Sequence, residues 1–291
     1  MDIVVEPGTY VVAVSGGVDS MVLLDLLRQQ SDIKLVVAHY DHGIRDDSDL
    51  DRQLVQQVTK KHGLPFVYDH GSLGAGASEA TARSARYEFL HRVRQASGAK
   101  AIITAHHEDD LLETAVLNML RGTGRRGLTS LGSSDTVLRP LLHIPKTELI
   151  TYARQQELPW NEDSTNIDTQ YTRNAVRHQI MPRFAAEHRQ EMTTHIRRLH
   201  EVSHELEHQL EHYLHLQTEA KTLDRADFIR LPHIVAREVM AAWLRHNGTT
   251  NYDKRTLERL VVAAKTFRPG QRTDISRNKF LVVHKQKLAL M

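Results

Sequence analysis

The run Tyr10-Val11-Val12-Ala13-Val14 leads straight into Ser15-Gly16-Gly17-Val18-Asp19-Ser20 and then into the apolar-periodic stretch Met21 to Leu27. A β-type run, two glycines and a helix-period run in immediate succession predict strand, tight turn and helix. The glycines permit torsions and close approach that a side chain would forbid. Ser15, Asp19 and Ser20 stand where the first amides of the helix need partners. Such a turn aims several backbone N–H groups and the positive end of a helix at one point, which is a site for a phosphate or pyrophosphate. It lacks the lysine of a Walker loop and the three-glycine spacing of a dinucleotide-binding turn, so neither of those sites is expected.

Further β-type runs recur at Leu35-Val36-Val37-Ala38, Pro65-Phe66-Val67-Tyr68 and Ala101-Ile102-Ile103-Thr104-Ala105, with helix-period segments near 48–62, 78–97 and 108–120 between them. That alternation predicts an α/β domain with a doubly wound, mostly parallel sheet. Ligands of such sheets sit beyond the carboxyl ends of the strands, which groups Ser15, the segment His39 to His42 and His106-His107. Leu138 to Leu142 reads as a short extended segment, and Pro145 opens a helix to about Gln156. A long, charged, leucine-spaced helix spans roughly 187–217. Beyond it come helices near 233–246 and 253–265 and short strand-like runs at 273–275, 280–283 and 287–290. The expected division is a catalytic domain at 1–185, a linker helix at 186–218 and a small, mainly helical domain at 219–291.

The chain of 291 residues carries a formal charge of +2, so any nucleic-acid surface must come from local clusters of Arg and Lys. No apolar run is long enough to span a bilayer, and Met1 to Pro7 has neither the basic start nor the apolar core of a signal peptide, so a cytoplasmic location without membrane attachment is expected.

The segment Thr104-Ala105-His106-His107-Glu108-Asp109-Asp110-Leu111-Leu112-Glu113-Thr114 is dense in chemistry. Asp110 and Glu113, three apart, share a helix face with His106 at its mouth. Carboxylates there can hold Mg²⁺ on a triphosphate or grip an ammonium group; the bland alternative is an acidic first turn that complements the helix dipole. On the segment 79–89, Arg83 and Arg86 share a face and can reach a polyphosphate, although such a pair is commonly just a solvated surface.

Ser15 to Ser20 resembles the pyrophosphate loop of the N-type ATP pyrophosphatases, whose fold is adenine nucleotide alpha hydrolase-like. In that superfamily ATP is cleaved between its α and β phosphates and an adenylated carbonyl oxygen is the usual intermediate. SGGVDS, HYDHGIR, EATARSARYEFL, TAHHEDDLLET, RGTGRRGL, RPLL and DSTNIDTQYTRNAVRHQIMP together resemble the tRNA(Ile)-lysidine synthetase family across about residues 10–182. The last block carries Asp163, Thr165-Asn166, Arg173-Asn174, Arg177 and Pro182. Thr165 replaces the serine of the family pattern, and Tyr40-Asp41 replaces an apolar-Asn pair.

The resemblance implies an enzyme that ligates free L-lysine to C2 of the wobble cytidine of the CAU anticodon of tRNA(Ile). An adenylated cytidine is the intermediate, and AMP and pyrophosphate are products. ATP and Mg²⁺ are the implied cofactors. The lysine ε-amine is almost wholly protonated at neutral pH, so a carboxylate must position it and a base accept its proton. On this reading Ser15, Gly16, Gly17, Val18, Asp19 and Ser20 hold the pyrophosphate, Ala38 to Tyr40 flank the adenine, and His42 and Arg83 complete the nucleotide site. His106 and Arg86 stabilise charge at the α-phosphate, with Asp19 among the catalytic groups. Asp110 and Glu113 handle lysine, Asp110 also being the candidate Mg²⁺ ligand. Arg121, Arg125, Arg126, Arg173, Asn174 and Arg177 are the expected RNA contacts, and the resemblance leaves room for a homodimer. The family commonly carries a further C-terminal domain.

The absence of cysteine removes sulfur insertion and built-in glutamine hydrolysis, both of which need a thiol. Two other readings share the loop: an ammonia-dependent NAD synthetase-like amidoligase and a non-catalytic adenine-nucleotide sensor. The basic tail and the Arg173-Asn174…Arg177 block disfavour the first; the second has no need of Asp110, Glu113 and the arginine helix. His200-Glu201-Val202-Ser203-His204 and His204-Glu205-Leu206-Glu207-His208 match the zinc-protease pattern, but overlapping copies on a charged helix, with no third ligand in the sequence, read as a solvated or RNA-facing stripe.

Overall fold

Five β-type runs form one parallel sheet: β1 (Gly8–Ala13), β2 (Ile33–Asp41), β3 (Phe66–His70), β4 (Ala101–Ile103) and β5 (Val137–Leu138), in the order β3-β2-β1-β4-β5. The register places Val12 beside Val37 on one side and beside Ile103 on the other. The structure, a computed structural model, describes residues 1–43, 48–71, 79–162, 172–217 and 221–291. Arg45 of the second motif and Asp163, Thr165 and Asn166 of the last one lie outside the described residues. The chain divides into two units, Met1–His200 and Glu201–Met291, each described by itself.

In the first unit both sheet faces are covered. Tyr10, Val12, Leu35, Val37 and Ile103 pack against α1 (Val18–Arg28), α2 (Ser48–Lys61) and α6 (Lys146–Gln155). Val11, Ala38, Ile102 and Val137 pack against Phe89, Leu90 and Val93 of α3 (Glu79–Ser97). Burial on both faces is why these strands read as continuous apolar runs rather than alternating ones. Ser20 to Leu27 of α1 are all buried, each large apolar side chain contributing about 1.5–3 kcal/mol. A third cluster joins α4 (Glu108–Leu120) to Val176, Met181 and Ile196. Strand order reverses at β1, which sends the chain to β2 and β3 on one side and to β4 and β5 on the other. The crevice therefore opens where the ends of β1 and β4 meet.

The expected extended segment from Leu138 to Leu142 is shorter than read. Only Val137–Leu138 pairs in the sheet, along β4. The chain then turns because the buried Arg139 folds back, donating to the Gly132 carbonyl and, at 3.3 Å, to the Tyr87 hydroxyl.

The long helix α8 (Ala186–Gln217) contains the division between the units. In the second unit, α9 (Arg225–Arg230), α10 (His233–His246) and α11 (Lys254–Thr266) share a core, with Trp243 and Phe228 fully buried in it. The strand-like runs of the sequence close into an antiparallel sheet of β6 (Thr222–Asp224), β7 (Arg272–Ser276), β8 (Lys279–Val283) and β9 (Lys287–Leu290), in the order β6-β9-β8-β7. Among the described residues no helix is long and apolar enough to cross a membrane, and no group of three or more His, Cys, Asp or Glu residues is placed to hold a metal ion.

Helix α6 is pinned to α1 by polar contacts as well as apolar ones. The Tyr152 hydroxyl donates to the buried Asp25 carboxylate at 2.8 Å, and Arg28 and Gln29 bond the same carboxylate. Tyr152→Phe is expected to lower stability by about 1 kcal/mol in urea unfolding, the net worth of a hydrogen bond whose acceptor keeps other partners. An unchanged midpoint would show that apolar packing alone seats α6.

Candidate active site

The turn after β1 has the form that its glycines require. Gly16 sits at φ +98°, and a Cβ there would lie 3.2 Å from Asp51 Oδ1 and Cβ on α2. Asn161 braces both partners, its amide N–H donating to the Gly16 carbonyl at 3.1 Å and its side chain to Asp51 at 2.8 Å. Ser20 reaches backward rather than capping the first helical turn. Its Oγ accepts from the Ser15 and Gly16 amides at 3.1 and 3.2 Å and donates to the Gly17 carbonyl at 2.9 Å. Gly17 at the N-cap supplies no side chain, and among the described residues the amides of Val18 and Asp19 have no acceptor. The turn thus presents open N–H groups at a helix N-terminus, the arrangement that suits a phosphate oxygen.

Helix α4 starts at the end of β4 and brings its own N-terminus to the same crevice. His107, 3% exposed, is its N-cap and donates its backbone N–H to Asp110 Oδ2 at 3.1 Å. His107 Nε2 lies 3.6 Å from Asp19 Oδ2 and 3.5 Å from Asp110 Oδ2. One imidazole therefore links the first turn of α1 to the acidic turn of α4, and Asp19 and Asp110 stand on the same side of the sheet. Burial alone would raise the Asp19 carboxyl. The hydrogen bond and charge of His107 and the ammonium of Lys146, 3.0 Å away, outweigh it and hold Asp19 below the usual carboxylate range.

His106 points elsewhere. Its Nδ1 meets Thr104 Oγ1 at 2.8 Å, and burial, with the positive charges of Arg139, Arg86 and Arg83 adding to it, pushes its pKa down to about 3 despite the opposing pull of Asp110. It is neutral near pH 7, with one ring nitrogen engaged by the Thr104 hydroxyl. Burial lowers His42 too, and Arg86 acts in the same direction, as befits a guanidinium near the ends of both β2 and β4. Tyr40 packs its ring on Phe89 at 5.6 Å and on His42 at 5.0 Å, and Arg83 lies 4.8 Å from the Tyr87 ring. Ala38 is 1% exposed, so only the strand's end is open to a base.

Glu113 is 2% exposed and doubly bonded to Arg177, Nε to Oε1 at 2.6 Å and Nη2 to Oε2 at 2.9 Å. Arg173 adds Nε to Oε2 at 3.4 Å, and both arginines approach Asp110 Oδ1, at 3.7 and 3.6 Å. The arginines come from α7 (Thr172–Ala175) and the π-helical turn Val176–Ile180, an element that recurs at functional sites. Two residues read as RNA contacts and two read as amine ligands thus form one cluster. The basic stretch Arg121 to Gly127 is partly helical. Arg121 caps α4, Arg125 and Arg126 open α5 (Arg125–Leu128), and the Gly127 carbonyl accepts from Asn118 at 2.6 Å.

Lys146, Asp51 and Asn161 were not singled out by sequence, and His107 was grouped with the crevice but given no role. Lys146 left one signal: it is the first residue of α6, where a cation opposes the helix dipole.

The depressed His106 pKa predicts a pH dependence. Its folded value of about 3 lies below the ordinary 6.5, so protons favour the unfolded chain. The stabilisation is complete above about pH 6.5 and is lost as pH falls from there toward 3, about 2 kcal/mol by pH 5. Urea unfolding of wild type and His106→Gln across this range should show a shallower acid loss in the variant. Parallel curves would place His106 in water.

A family model described as a PP-loop domain matches residues 4–184. A tRNA(Ile)-lysidine synthase of Thermotoga sp. (strain RQ2) is 42% identical over 188 residues, 61% of this chain and 45% of the relative. The enzyme of that name from Solibacter usitatus is 36% identical over 179 residues, 60% of this chain and 41% of the relative. The chain spans less than half the length of these curated relatives. Among solved structures, the U34-tRNA thiolase NcsA from Methanococcus maripaludis, with its [4Fe-4S] cluster, aligns with a TM-score of 0.56 at 18% identity, covering 68% of this chain and 74% of that one, a likeness of fold alone. The amide-lined turn at the switch point and the matched span agree: this chain belongs to the PP-loop family.

Proposed function

We propose that this protein is a tRNA(Ile)-lysidine synthetase, ligating free L-lysine to C2 of the wobble cytidine of a CAU anticodon through an adenylated cytidine. One observation carries the reading: His107 brings Asp19 of the phosphate turn and Asp110 of the acidic turn within 3.6 Å of the same nitrogen. A reaction that activates a carbonyl oxygen with ATP and then delivers an amine needs both groups at one crevice. The names of the relatives support the substrate class.

The cytidine O2 is a poor leaving group until it carries AMP. In the first step the open amides of Val18 and Asp19, within the loop Ser15 to Ser20, receive the β- and γ-phosphates, while the end of β2 from Ala38 to Tyr40, with His42, flanks the adenine. Arg86 supplies positive charge and His106 a neutral N–H donor toward the α-phosphate, and Arg83 extends the charge along α3. Among the described residues Asp19 Oδ1 is buried without a partner, a hard oxygen that fits a divalent cation held mainly by phosphates. Asp19 and Asp110 are the residues that would hold Mg²⁺, whose contribution is to neutralise phosphate charge.

In the second step the amine must be steered. Both Glu113 oxygens are engaged by Arg177, so Asp110, 16% exposed, is the carboxylate that meets the lysine ammonium, and Glu113 positions the arginines. RNA contacts by Arg173, Asn174 and Arg177 are then made from the wall of the amine site. Arg121, Arg125 and Arg126 offer a second contact. A third lies in the second unit, where residues 254–287 carry ten Lys or Arg against two acids, nine of the ten exposed. Cytoplasmic tRNA is the proposed partner.

Radiolabelled lysine should enter tRNA(Ile) transcripts with a CAU anticodon and not methionine tRNA. Asp110→Ala is expected to abolish incorporation, at least about 1000-fold, while tRNA affinity stays within about threefold; incorporation at the wild-type rate would remove Asp110 from the chemistry. Reversing Arg125 and Arg126 to Glu should weaken tRNA binding and flatten its salt dependence by about two phosphate contacts. An unchanged slope would move the RNA off α5.

A further inference from the structure

The phosphate turn carries no cation of its own, yet cleavage between the α and β phosphates leaves a diphosphate whose charge must be met. We propose that Lys146 is the catalytic cation for that leaving group, an inference that rests on the ATP-cleaving function proposed above.

Three observations carry it. First, Lys146 Nζ lies 3.0 Å from Asp19 Oδ2, placing an ammonium at the first turn of α1, beside the open amides of Val18 and Asp19. Second, the backbone beneath this side chain is fixed from two directions. The Lys146 amide donates to Asp109 Oδ2 at 3.1 Å, the Ile144 carbonyl accepts from the Glu108 amide at 3.1 Å, and α6 is tied to α1 through Tyr152 and Asp25. Third, the side chain itself is 39% exposed, so its ammonium is open to a ligand in the crevice. A lysine at the first position of a helix is electrostatically misplaced for stability, since the dipole there repels it, so its location answers a need other than α6.

In the step, cytidine O2 forms a bond to Pα while the bridging Pα–O bond breaks, and its electron pair leaves with the diphosphate; no proton moves and nothing is oxidised or reduced. Asp19 holds Lys146 through Oδ2 before phosphate arrives. The ammonium then turns to the β- and γ-phosphate oxygens, and it interacts most strongly as charge develops on departure. Asp19 Oδ1, buried without a hydrogen-bond partner among the described residues, would remain available to a divalent ion.

Titration calorimetry of the full chain with MgCl₂ and inorganic pyrophosphate tests this directly. Lys146→Met should lower pyrophosphate affinity at least about tenfold and Lys146→Arg should restore it to within about threefold. In tRNA- and lysine-dependent turnover, Lys146→Met should lower kcat about 100-fold with a smaller rise in KM for ATP, the signature of charge met in the transition state. Thermal melts of both variants accompany the titrations, and Tyr152→Phe, which loosens the seating of α6 away from the crevice, controls for a merely structural role. If Lys146→Met binds pyrophosphate as tightly as wild type, or loses affinity only in step with a fall in melting temperature that Tyr152→Phe reproduces, the proposal is overturned. Wild type that binds neither ATP nor pyrophosphate would instead sink the ATP-cleaving function, and this inference with it.

Discussion

Two helix N-termini, those of α1 and α4, converge beyond the ends of adjacent parallel strands, and the resulting surplus of unpaired amides is the constraint that organises this half of the molecule. Each N-terminus carries a partial positive charge worth up to about half an elementary unit. Asp19 sits in the first turn of α1, and Glu108, Asp109 and Asp110 fill the first turn of α4. These carboxylates balance the local field, and His107 and Lys146 fill the gaps between them. On the function proposed above, a triphosphate would meet donors already aimed and bind with little reorganisation.

Behind that front the buried pair of Glu113 and Arg177 sets the geometry. Removing two charges from water costs several kcal/mol for each, and only close, bidentate contact recovers it. The pair is therefore weak as a source of stability and strong as a device for placement. It draws the π-helical turn against α4 and leaves Asp110, one turn away and less enclosed, as the carboxylate with room for a cationic substrate.

What could be read from the sequence was whatever is encoded within a few residues. The strand, turn and helix from Gly8 to Arg28 were legible because apolar periodicity, glycine placement and strand order all agree, and α10 matches its expected span end to end. Pairings across long separations were not legible. Arg177 and Glu113 are 64 positions apart and Lys146 and Asp19 are 127 apart, and only the crossover topology brings them together. Ser20 was read as a forward cap because local rules favour one; a buried Gly16 amide took the oxygen instead. The Gly-rich stretch around Arg125 reads as an open loop, but Asn118 at the end of α4 closes it, donating to the Gly127 carbonyl and accepting from the Thr123 hydroxyl at its own carbonyl.

The brace at Gly16 has a mechanical corollary. Asp51 would lie only 3.2 Å from the first atom of any side chain at residue 16, and Asn161 ties the two segments together. Residue 16 is thus closed to any side chain twice over, by its backbone torsion of +98° and by Asp51 held in place by Asn161, so the turn and the flank of α2 share one packing constraint.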